Sequence, residues 1–300
     1  MKTRELGNSG LSVSELGLGC MSLPTDRNEV DHVVAAALDA GISFFDTADL
    51  YDGGANEEVV GYAIRNRREE IVLATKVGNK MNPDGKTWHW DASKEHIMEG
   101  VKASLKRLGT DYIDLYQLHG GTMEDNAGEV IEAFERLKEE GIIRQYGISS
   151  IRPNVIQRFL NESNAISIMM QYNMLDRRPE EWFQMIADHN ASIIARGTLA
   201  KGLLTAEAKQ RVVQTDSFVE YEQPALSEVV YNLTERTTNL HAAAIQFCLQ
   251  NATVATTLVG ARTREQLMDS VLAYETPVSR ETVDSLTNFL ALHKYDQHRI

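Results

Sequence analysis

Short apolar segments alternate with longer amphipathic segments along most of this chain. Between Asn28 and Ala40 the apolar residues recur at helical spacing, and Gly41 follows at the position where a helix commonly ends. The short apolar segment from Ser43 to Asp46 comes directly afterwards. An amphipathic helix that leads into a short buried strand is part of a βα repeat, so this pattern predicts strands that lie parallel in one sheet.

The same alternation continues through the chain and predicts eight strands, which end near Gly19, Asp46, Lys76, His119, Ser149, Gln171, Ala195 and Val259. The predicted helices cover residues 28–40, 56–67, 93–108, 126–140, 153–160, 233–250, 263–274 and 279–293. Eight parallel strands with right-handed crossovers close most simply into a (β/α)8 barrel of about 250 residues. We therefore predict a single α/β domain, a (β/α)8 TIM barrel, over residues 1–300.

Three segments fall outside this alternation. Residues 4–13 alternate apolar and polar positions around a turn, which predicts an N-terminal β-hairpin that covers the barrel floor. Residues 77–93 exceed the usual connection of about two to six residues, so we expect a long loop that shapes a pocket at the C-terminal face. Its Trp88 and Trp90 fit a packed loop cluster and a substrate-facing role equally well. Residues 205–227 have weak periodicity, and we predict no elements there.

Reactive side chains stand at the ends of three consecutive predicted strands. Asp46 ends the first of these strands, Lys76 the second and His119 the third, and Tyr51 lies in the polar loop that follows Asp46. Because a barrel carries its chemistry at the C-terminal ends of its strands, we expect these four side chains to converge.

Together these four residues have the chemistry to protonate an oxygen on which negative charge develops. A tyrosine hydroxyl, with an ordinary pKa of about 10, is a poor proton donor at neutral pH unless a cation stabilises the phenolate. Lys76 can supply the cation, Asp46 can hold the ammonium, and His119 adds a second donor. Taken singly, each residue has a structural explanation, such as a loop-capping acid or a core histidine. Their placement on neighbouring strand ends favours one shared site.

The composition is that of a globular protein, with 43% hydrophobic and 24% charged residues. Acidic residues outnumber basic ones 43 to 30, and the net charge of −13 argues against nucleic acid as a partner. Cys20 and Cys248 lack metal-ligand spacing, so we predict neither a metal site nor a disulfide, and we expect a reducing compartment. No signal peptide and no apolar run of about 18 residues is visible, so we expect a cytoplasmic protein without a membrane partner.

The first predicted strand bears Gly17 and Gly19, so we expect a ligand to approach the backbone closely there, at Gly19, Cys20 and Met21. The Gly17-x-Gly19 pair suggests a dinucleotide fingerprint, but Ser22 occupies the position of the third glycine. A nicotinamide cofactor would therefore not be bound through a Rossmann motif.

Three segments carry a resemblance to a known family: FDTADLY at 45–51, LATK at 73–76 and DYIDLYQLH at 111–119. In their order and spacing they resemble the aldo-keto reductase superfamily, across essentially the whole chain and most closely its bacterial members. This resemblance implies a barrel enzyme that reduces aldehyde and ketone carbonyls with NADPH. It also implies that Asp46, Tyr51, Lys76 and His119 form the catalytic tetrad.

The resemblance further implies an NADP(H) molecule extended over the barrel mouth. By this comparison Ser149 and Gln171 match the pair that binds the nicotinamide carboxamide, Ser150 replaces a common Asn, and Arg196 replaces a stacking aromatic ring. Arg262 in the loop after the last strand is the expected partner of a 2′-phosphate. The other implied cofactor contacts are Asp46, Gly197, Thr198, Leu199, Lys201, Gly202, Gly260, Ala261, Gln266 and Ser270, the last of which replaces an adenine-binding Asn.

Two other classes of function compete with a monomeric carbonyl reductase. The first is a cofactor-binding regulatory subunit of the same fold, attached to a channel and barely catalytic. The second is a metal-dependent barrel hydrolase, although the acids and histidines do not cluster with ligand spacing. The complete set of four reactive residues favours the enzyme, acting on a small-molecule carbonyl substrate.

Overall fold

The computed structural model describes all 300 residues and confirms the predicted closed barrel of eight parallel strands. The strands of the protein are, in chain order, β1 Thr3–Glu5, β2 Ser12–Ser14, β3 Leu16–Gly19, β4 Phe44–Asp46, β5 Val72–Val77, β6 Asn79–Met81, β7 Trp88–Trp90, β8 Ile113–Leu118, β9 Ile143–Ser149, β10 Ser167–Gln171, β11 Ser192–Arg196, β12 Ser217–Phe218, β13 Tyr221–Glu222 and β14 Val254–Gly260. Around the barrel the strands follow the order β10-β11-β14-β3-β4-β5-β8-β9.

Helices connect the barrel strands and pack on their outer side. They are α1 Arg27–Asp39, α2 Ala55–Ile64, α3 Lys94–Leu108, α4 Ala127–Glu139, α5 Pro153–Glu162, α6 Phe183–Asp188, α7 Ala208–Val212, α8 Ala225–Arg236, α9 Leu240–Leu249, α10 Arg264–Glu275 and α11 Arg280–Thr287. None of these helices combines the length and the apolar character needed to span a membrane.

The apolar residues divide into an inner and an outer core. The outer core is a cluster of 72 buried residues between the strands and the helices, and it includes Phe45. The inner core fills the barrel lumen with ten buried residues, Leu6, Val13, Phe44, Ala74, Leu115, Ile166, Met169, Ile194, Ala255 and Leu258. Successive strand side chains point to opposite faces, so Phe44 and Phe45 contribute one ring to each core.

The N-terminal hairpin covers the barrel floor, as predicted. Strands β1 and β2 pair in antiparallel register from Thr3 opposite Ser14 to Glu5 opposite Ser12. Leu6 and Val13 of the hairpin belong to the inner core. The lumen is therefore closed with apolar side chains at the N-terminal ends of the strands.

The following four parts of the structure differ from the sequence prediction. The predicted helix 233–250 is wrong, because α8 ends at Arg236 and the side chain of Asn239 caps a new helix, α9. Residues 205–227, predicted without elements, contain α7 and the β12–β13 hairpin. The long loop 77–93 folds back on itself as the β6–β7 hairpin. In addition, α11 ends at Thr287, before the predicted end at residue 293.

Candidate active site

Strand alternation and register place a polar layer directly above the inner core. Lys76 pairs with Gln117 in the β5–β8 register, each two residues beyond an inner-core position, Ala74 and Leu115. Asp46 ends β4 two residues after the inner-core Phe44. Because residues two apart in a strand face the same side, all three polar side chains point into the lumen at its C-terminal end.

The Lys76 ammonium is the centre of this layer. Its Nζ donates to Asp46 Oδ2 at 2.7 Å, to the Thr47 carbonyl oxygen at 2.7 Å and to Tyr51 Oη at 3.2 Å. These three acceptors account for all three ammonium hydrogens. The oxygen of Tyr51 is thus an acceptor toward Lys76, and its own hydrogen is free to point elsewhere.

Burial and charge act against each other in the Asp46–Lys76 pair, whose side chains are 5% and 1% exposed. Burial raises the pKa of Asp46, although the neighbouring Lys76 offsets part of this effect. Burial alone would lower the pKa of Lys76, but attraction to Asp46 and Tyr51 raises it above the ordinary lysine value. Lys76 therefore stays protonated beside Tyr51.

A tight turn fixes the position of Tyr51. Its backbone N–H donates to the Ala48 carbonyl, and the next residues, Asp52, Gly53 and Gly54, all have positive φ angles. A side chain at Gly54 would collide with Arg107, since an added Cβ would lie 2.8 Å from its Cδ. The turn therefore depends on glycine there for both conformation and space.

His119 borders the same space as Tyr51. The two rings meet edge to face, with centroids 6.0 Å apart and an interplanar angle of 87°. Burial, together with the positive charges of Lys76 and Arg196, lowers the pKa of His119 to about 3. The imidazole is neutral at physiological pH, so it can serve as a neutral hydrogen-bond donor. Its Nδ1 has no partner within the protein.

A row of small residues opens the rim beside this layer. Gly260 pairs with Gly19 across β14 and β3, and Gly19 pairs with Asp46 across β3 and β4. Two adjacent glycines leave backbone accessible next to the carboxylate, and Met21 beyond them is 62% exposed. At these two positions no side chain covers the rim beside Asp46.

Polar groups stand on the strands that continue the rim beyond β14, namely β11, β10 and β9. Gln171 and Arg196 pair in the β10–β11 register, and Arg196 Nη1 donates to Gln171 Oε1 at 3.3 Å. Ser149 ends β9 next to Met169 of β10. Gly197 follows with a φ of +70°, and an added Cβ there would lie 3.4 Å from Gln171 Cγ.

The side chains of several predicted cofactor residues do not reach the rim. Cys20 and Ala261 are buried, and the Thr198 hydroxyl is fully buried between Thr257 Oγ1 at 2.6 Å and the Leu258 carbonyl at 2.8 Å. Ser150 Oγ accepts from the Arg152 backbone N–H. For these residues the type of side chain gave no information about the direction in which it points.

The loop after β14 presents a basic side chain to solvent. Arg262 is exposed, and its backbone N–H donates to Gln266 Oε1 at 2.9 Å, just before α10 begins. Ser270, predicted near an adenine ring, is buried on α10, with its Oγ 3.2 Å from His241 Nε2. Near Arg196, Leu199 is half-buried and Lys201 is exposed, whereas an added Cβ at Gly202 would collide with Arg211.

Comparison with known proteins decides the family. The model of the Aldo/keto reductase family matches residues 15–291. The chain belongs to the aldo/keto reductase family. It is 46% identical, over the full length of both chains, to the protein described as uncharacterized oxidoreductase YqkF of Bacillus subtilis.

Solved structures of aldo/keto reductases have the same fold. The holo form of aldo-keto reductase AKR11C1 from Bacillus halodurans matches over both whole chains with a TM-score of 0.94 and 48% identity, and its apo form with 0.85 and 45%. A probable voltage-gated potassium channel subunit beta of Arabidopsis thaliana is 26% identical over 95% of this chain. The chain is thus an oxidoreductase of a family that acts on small molecules, with the family's TIM barrel.

In this aldo/keto reductase, a buried residue not predicted from the sequence completes the polar layer. Gln117 Nε2 donates to Asp46 Oδ1 at 3.3 Å, while its Oε1 is buried without a partner. From the sequence, Gln117 is one residue of a mainly apolar predicted strand, and in the structure every residue of that strand is buried. Its position two residues before His119, on the same strand face, was the signal that could have identified it.

A second group of buried charges lies behind the Tyr51 turn. Glu57 is fully buried and accepts from Thr75 Oγ1 at 2.5 Å and from Arg107 Nε at 2.6 Å. One carboxylate oxygen of Asp49 is buried without a partner. Burial and the charge of Glu57, partly offset by Arg107, raise the pKa of Asp49 to about 7.

Asp49 should therefore make stability depend on pH. The folded protein keeps the Asp49 proton up to about pH 7, whereas the unfolded chain releases it near pH 3.8, so its contribution to stability is lost as the pH rises through 7. Asp49→Asn cannot lose a proton, so relative to the parent it should gain up to about 4 kcal/mol between pH 4 and pH 8. Urea unfolding of both proteins at each pH measures this gain, and a pH-independent difference contradicts it.

Proposed function

We propose that this aldo/keto reductase reduces aldehyde and ketone carbonyls to alcohols with NADPH as the cofactor. One observation carries the proposal: the Lys76 ammonium binds Asp46, Thr47 and Tyr51 at once, with Tyr51 as an acceptor. This arrangement leaves the Tyr51 hydroxyl hydrogen free to be donated to a substrate oxygen.

The side chains of the site would divide the work as follows. Tyr51 donates a proton to the carbonyl oxygen, and Lys76 stabilises the negative charge that remains on Tyr51. Asp46, itself held by Gln117, keeps the ammonium charged and in place. His119 is neutral and offers a hydrogen bond to the same oxygen. When bound, the nicotinamide supplies the hydride.

The rim residues fit such a cofactor. Gln171 and Ser149 provide the polar groups expected around a carboxamide, and the Gly260–Gly19 row leaves room beside Asp46. Arg196 lies beside Gln171, where its planar guanidinium could take the place of a stacking ring. The proposed phosphate partner, Arg262, is exposed and does not appear in any ion pair within the protein.

The alternative function is that of a regulatory subunit, because one relative is described as a probable channel subunit. Measuring turnover distinguishes the enzyme from such a subunit. A panel of aldehydes, ketones and dicarbonyls is incubated with NADPH, and cofactor oxidation is followed by its absorbance. We expect multiple turnovers with at least one carbonyl class, undiminished by a chelator. Tight NADPH binding without turnover of any carbonyl in the panel would favour the regulatory role. A regulatory subunit would not need the four reactive residues, and all four are present in this chain.

The choice between NADPH and NADH is expected to depend on Arg262. A 2′-phosphate carries nearly two negative charges and, in a protein of net charge −13, needs a local cation. A charge-assisted hydrogen bond contributes roughly 1.5 to 3 kcal/mol, so Arg262→Ala should weaken NADPH binding about tenfold to a hundredfold and leave NADH binding almost unchanged. Titration by quenching of intrinsic fluorescence measures both affinities.

Arg280→Ala is the matched control, because Arg280 is an exposed arginine at the start of a different helix, α11. It removes the same formal charge and should leave both affinities unchanged. Equal losses for NADPH and NADH in Arg262→Ala, or no loss for either, would remove Arg262 from the phosphate site.

A further inference from the structure

A fully buried carboxylate holds the amide of Gln171. Asp176 lies in the turn after β10 and is 0% exposed. Its Oδ2 accepts from Gln171 Nε2 at 2.8 Å, while Gln171 Oε1 accepts from Arg196 Nη1 at 3.3 Å. Both ends of the Gln171 amide are therefore engaged within the protein.

These two partners allow only one orientation of the amide. A carboxylate can only accept hydrogen bonds, and a guanidinium can only donate them. If the amide were rotated by 180°, its oxygen would face Asp176 and its NH2 group would face Arg196, and both contacts would be repulsive. The oxygen of Gln171 consequently faces Arg196, and it has a second lone pair available for another donor.

Asp176 is itself fixed by neighbours that do not depend on any ligand. Arg178 binds it through two hydrogen bonds, Nε to Oδ1 at 2.8 Å and Nη2 to Oδ2 at 2.9 Å. Its backbone forms a reciprocal pair with Asn173, whose Nδ2 donates to the Gly197 carbonyl at 2.8 Å. The turn after β10 is thus tied to the segment that follows β11.

We propose that Asp176 is a positioning residue that makes Gln171 select a pyridine carboxamide. By holding the NH2 group of Gln171, Asp176 presents the Gln171 oxygen as an acceptor for the N–H of the carboxamide. A ring that carries an acetyl or carboxylate group in place of the carboxamide has no hydrogen to donate there. This inference rests on the proposed function, in which Gln171 contacts the nicotinamide.

The test removes the clamp and compares two cofactors that differ at one group. Asp176→Leu combined with Arg178→Met takes away both charges of the pair, so neither is left buried alone. Calorimetry measures the binding of NADP⁺ and of its 3-acetylpyridine analogue, which lacks the amide hydrogens. The unmodified protein should prefer NADP⁺ by roughly threefold to tenfold. The double variant should lose about half or more of that preference, because only the longer 3.3 Å contact with Arg196 then orients the amide.

Two further variants serve as controls for the preference between the two cofactors. Gln171→Met lacks the acceptor and should show the same lost preference. Asp114→Asn removes another buried carboxylate, paired with Arg68 at 2.7 Å on the outer side of the barrel, and should keep the preference of the unmodified protein. A structural effect alone would weaken both cofactors equally and leave their ratio unchanged.

Each outcome bears on a separate claim. If the double variant keeps the preference of the unmodified protein, Asp176 does not orient Gln171. If the unmodified protein binds neither dinucleotide, the proposed function itself fails. Should the double variant not fold, Asp176→Asn keeps the size of the side chain but has one acceptor for the donors of both Arg178 and Gln171. It should reduce the preference by about twofold or more, and an unchanged preference there equally overturns the inference.

Discussion

Tyr51→Phe should lose carbonyl reduction by roughly 10² to 10⁴-fold while it retains the fold and the affinity for NADPH. The substitution removes only the hydroxyl that is 3.2 Å from Lys76 Nζ, and the remaining ring can keep its edge-to-face contact with His119. Steady-state turnover with a model aldehyde, together with calorimetric titration of the cofactor, measures the two effects separately.

Tyr62→Phe is the matched control for this experiment. Tyr62 lies on α2, where its ring packs against the guanidinium groups of Arg27 and Arg65, away from the lumen. The same hydroxyl deletion there should leave turnover within about twofold of the parent, as surface substitutions usually have small effects. Turnover by Tyr51→Phe at the parent rate would exclude Tyr51 as the proton donor.

Lys76→Met should abolish most activity and also destabilise the protein. The variant loses the positive charge beside Tyr51, and it leaves Asp46 buried without its partner, a change that typically costs about 3 to 5 kcal/mol. The pH dependence of the residual rate should change as well, because the positive charge 3.2 Å from the hydroxyl of the proposed proton donor is gone. Denaturant unfolding and a pH profile of turnover measure these consequences.

The double variant Lys76→Met with Asp46→Asn separates stability from catalysis. It removes both charges of the buried pair, so most of the lost stability should return while the activity remains low. If the single variant Lys76→Met kept both the parent rate and the parent pH profile, the ammonium would have no role in the chemistry.

The sequence predicted the barrel well because its signals are local and repeated. Each predicted strand end lies within one residue of an observed end. Asp46, Lys76 and His119 were recognised by their positions at the ends of apolar strands, and Tyr51 by its place in the loop that follows Asp46. The break between α8 and α9 was missed, since Asn239 looks like one more polar residue in a helical pattern. In the structure, the extended backbone at Thr237 and the capping hydrogen bond of Asn239 mark the boundary.

The direction of a side chain near the rim was harder to predict. Thr198 and Ser270 occupy positions that resemble cofactor contacts, yet both bind protein groups in the interior. Asp176 was not predicted at all, although Gln171 was, because its role comes from a turn that folds back onto the end of β10. Contacts of this kind depend on tertiary geometry, which a local pattern does not contain.

The N-terminal hairpin and the inner core close the barrel at the N-terminal ends of its strands, so the lumen opens at the C-terminal rim. Beneath the polar layer, the lumen is filled with apolar side chains down to Leu6 and Val13. Apolar packing therefore lies between Lys76 and the barrel floor, whereas the polar layer faces the rim. A ligand that lies across the rim would control both the entry of the substrate and the exchange of protons between Tyr51 and solvent. The product would then leave through the same opening by which Tyr51 regains its proton.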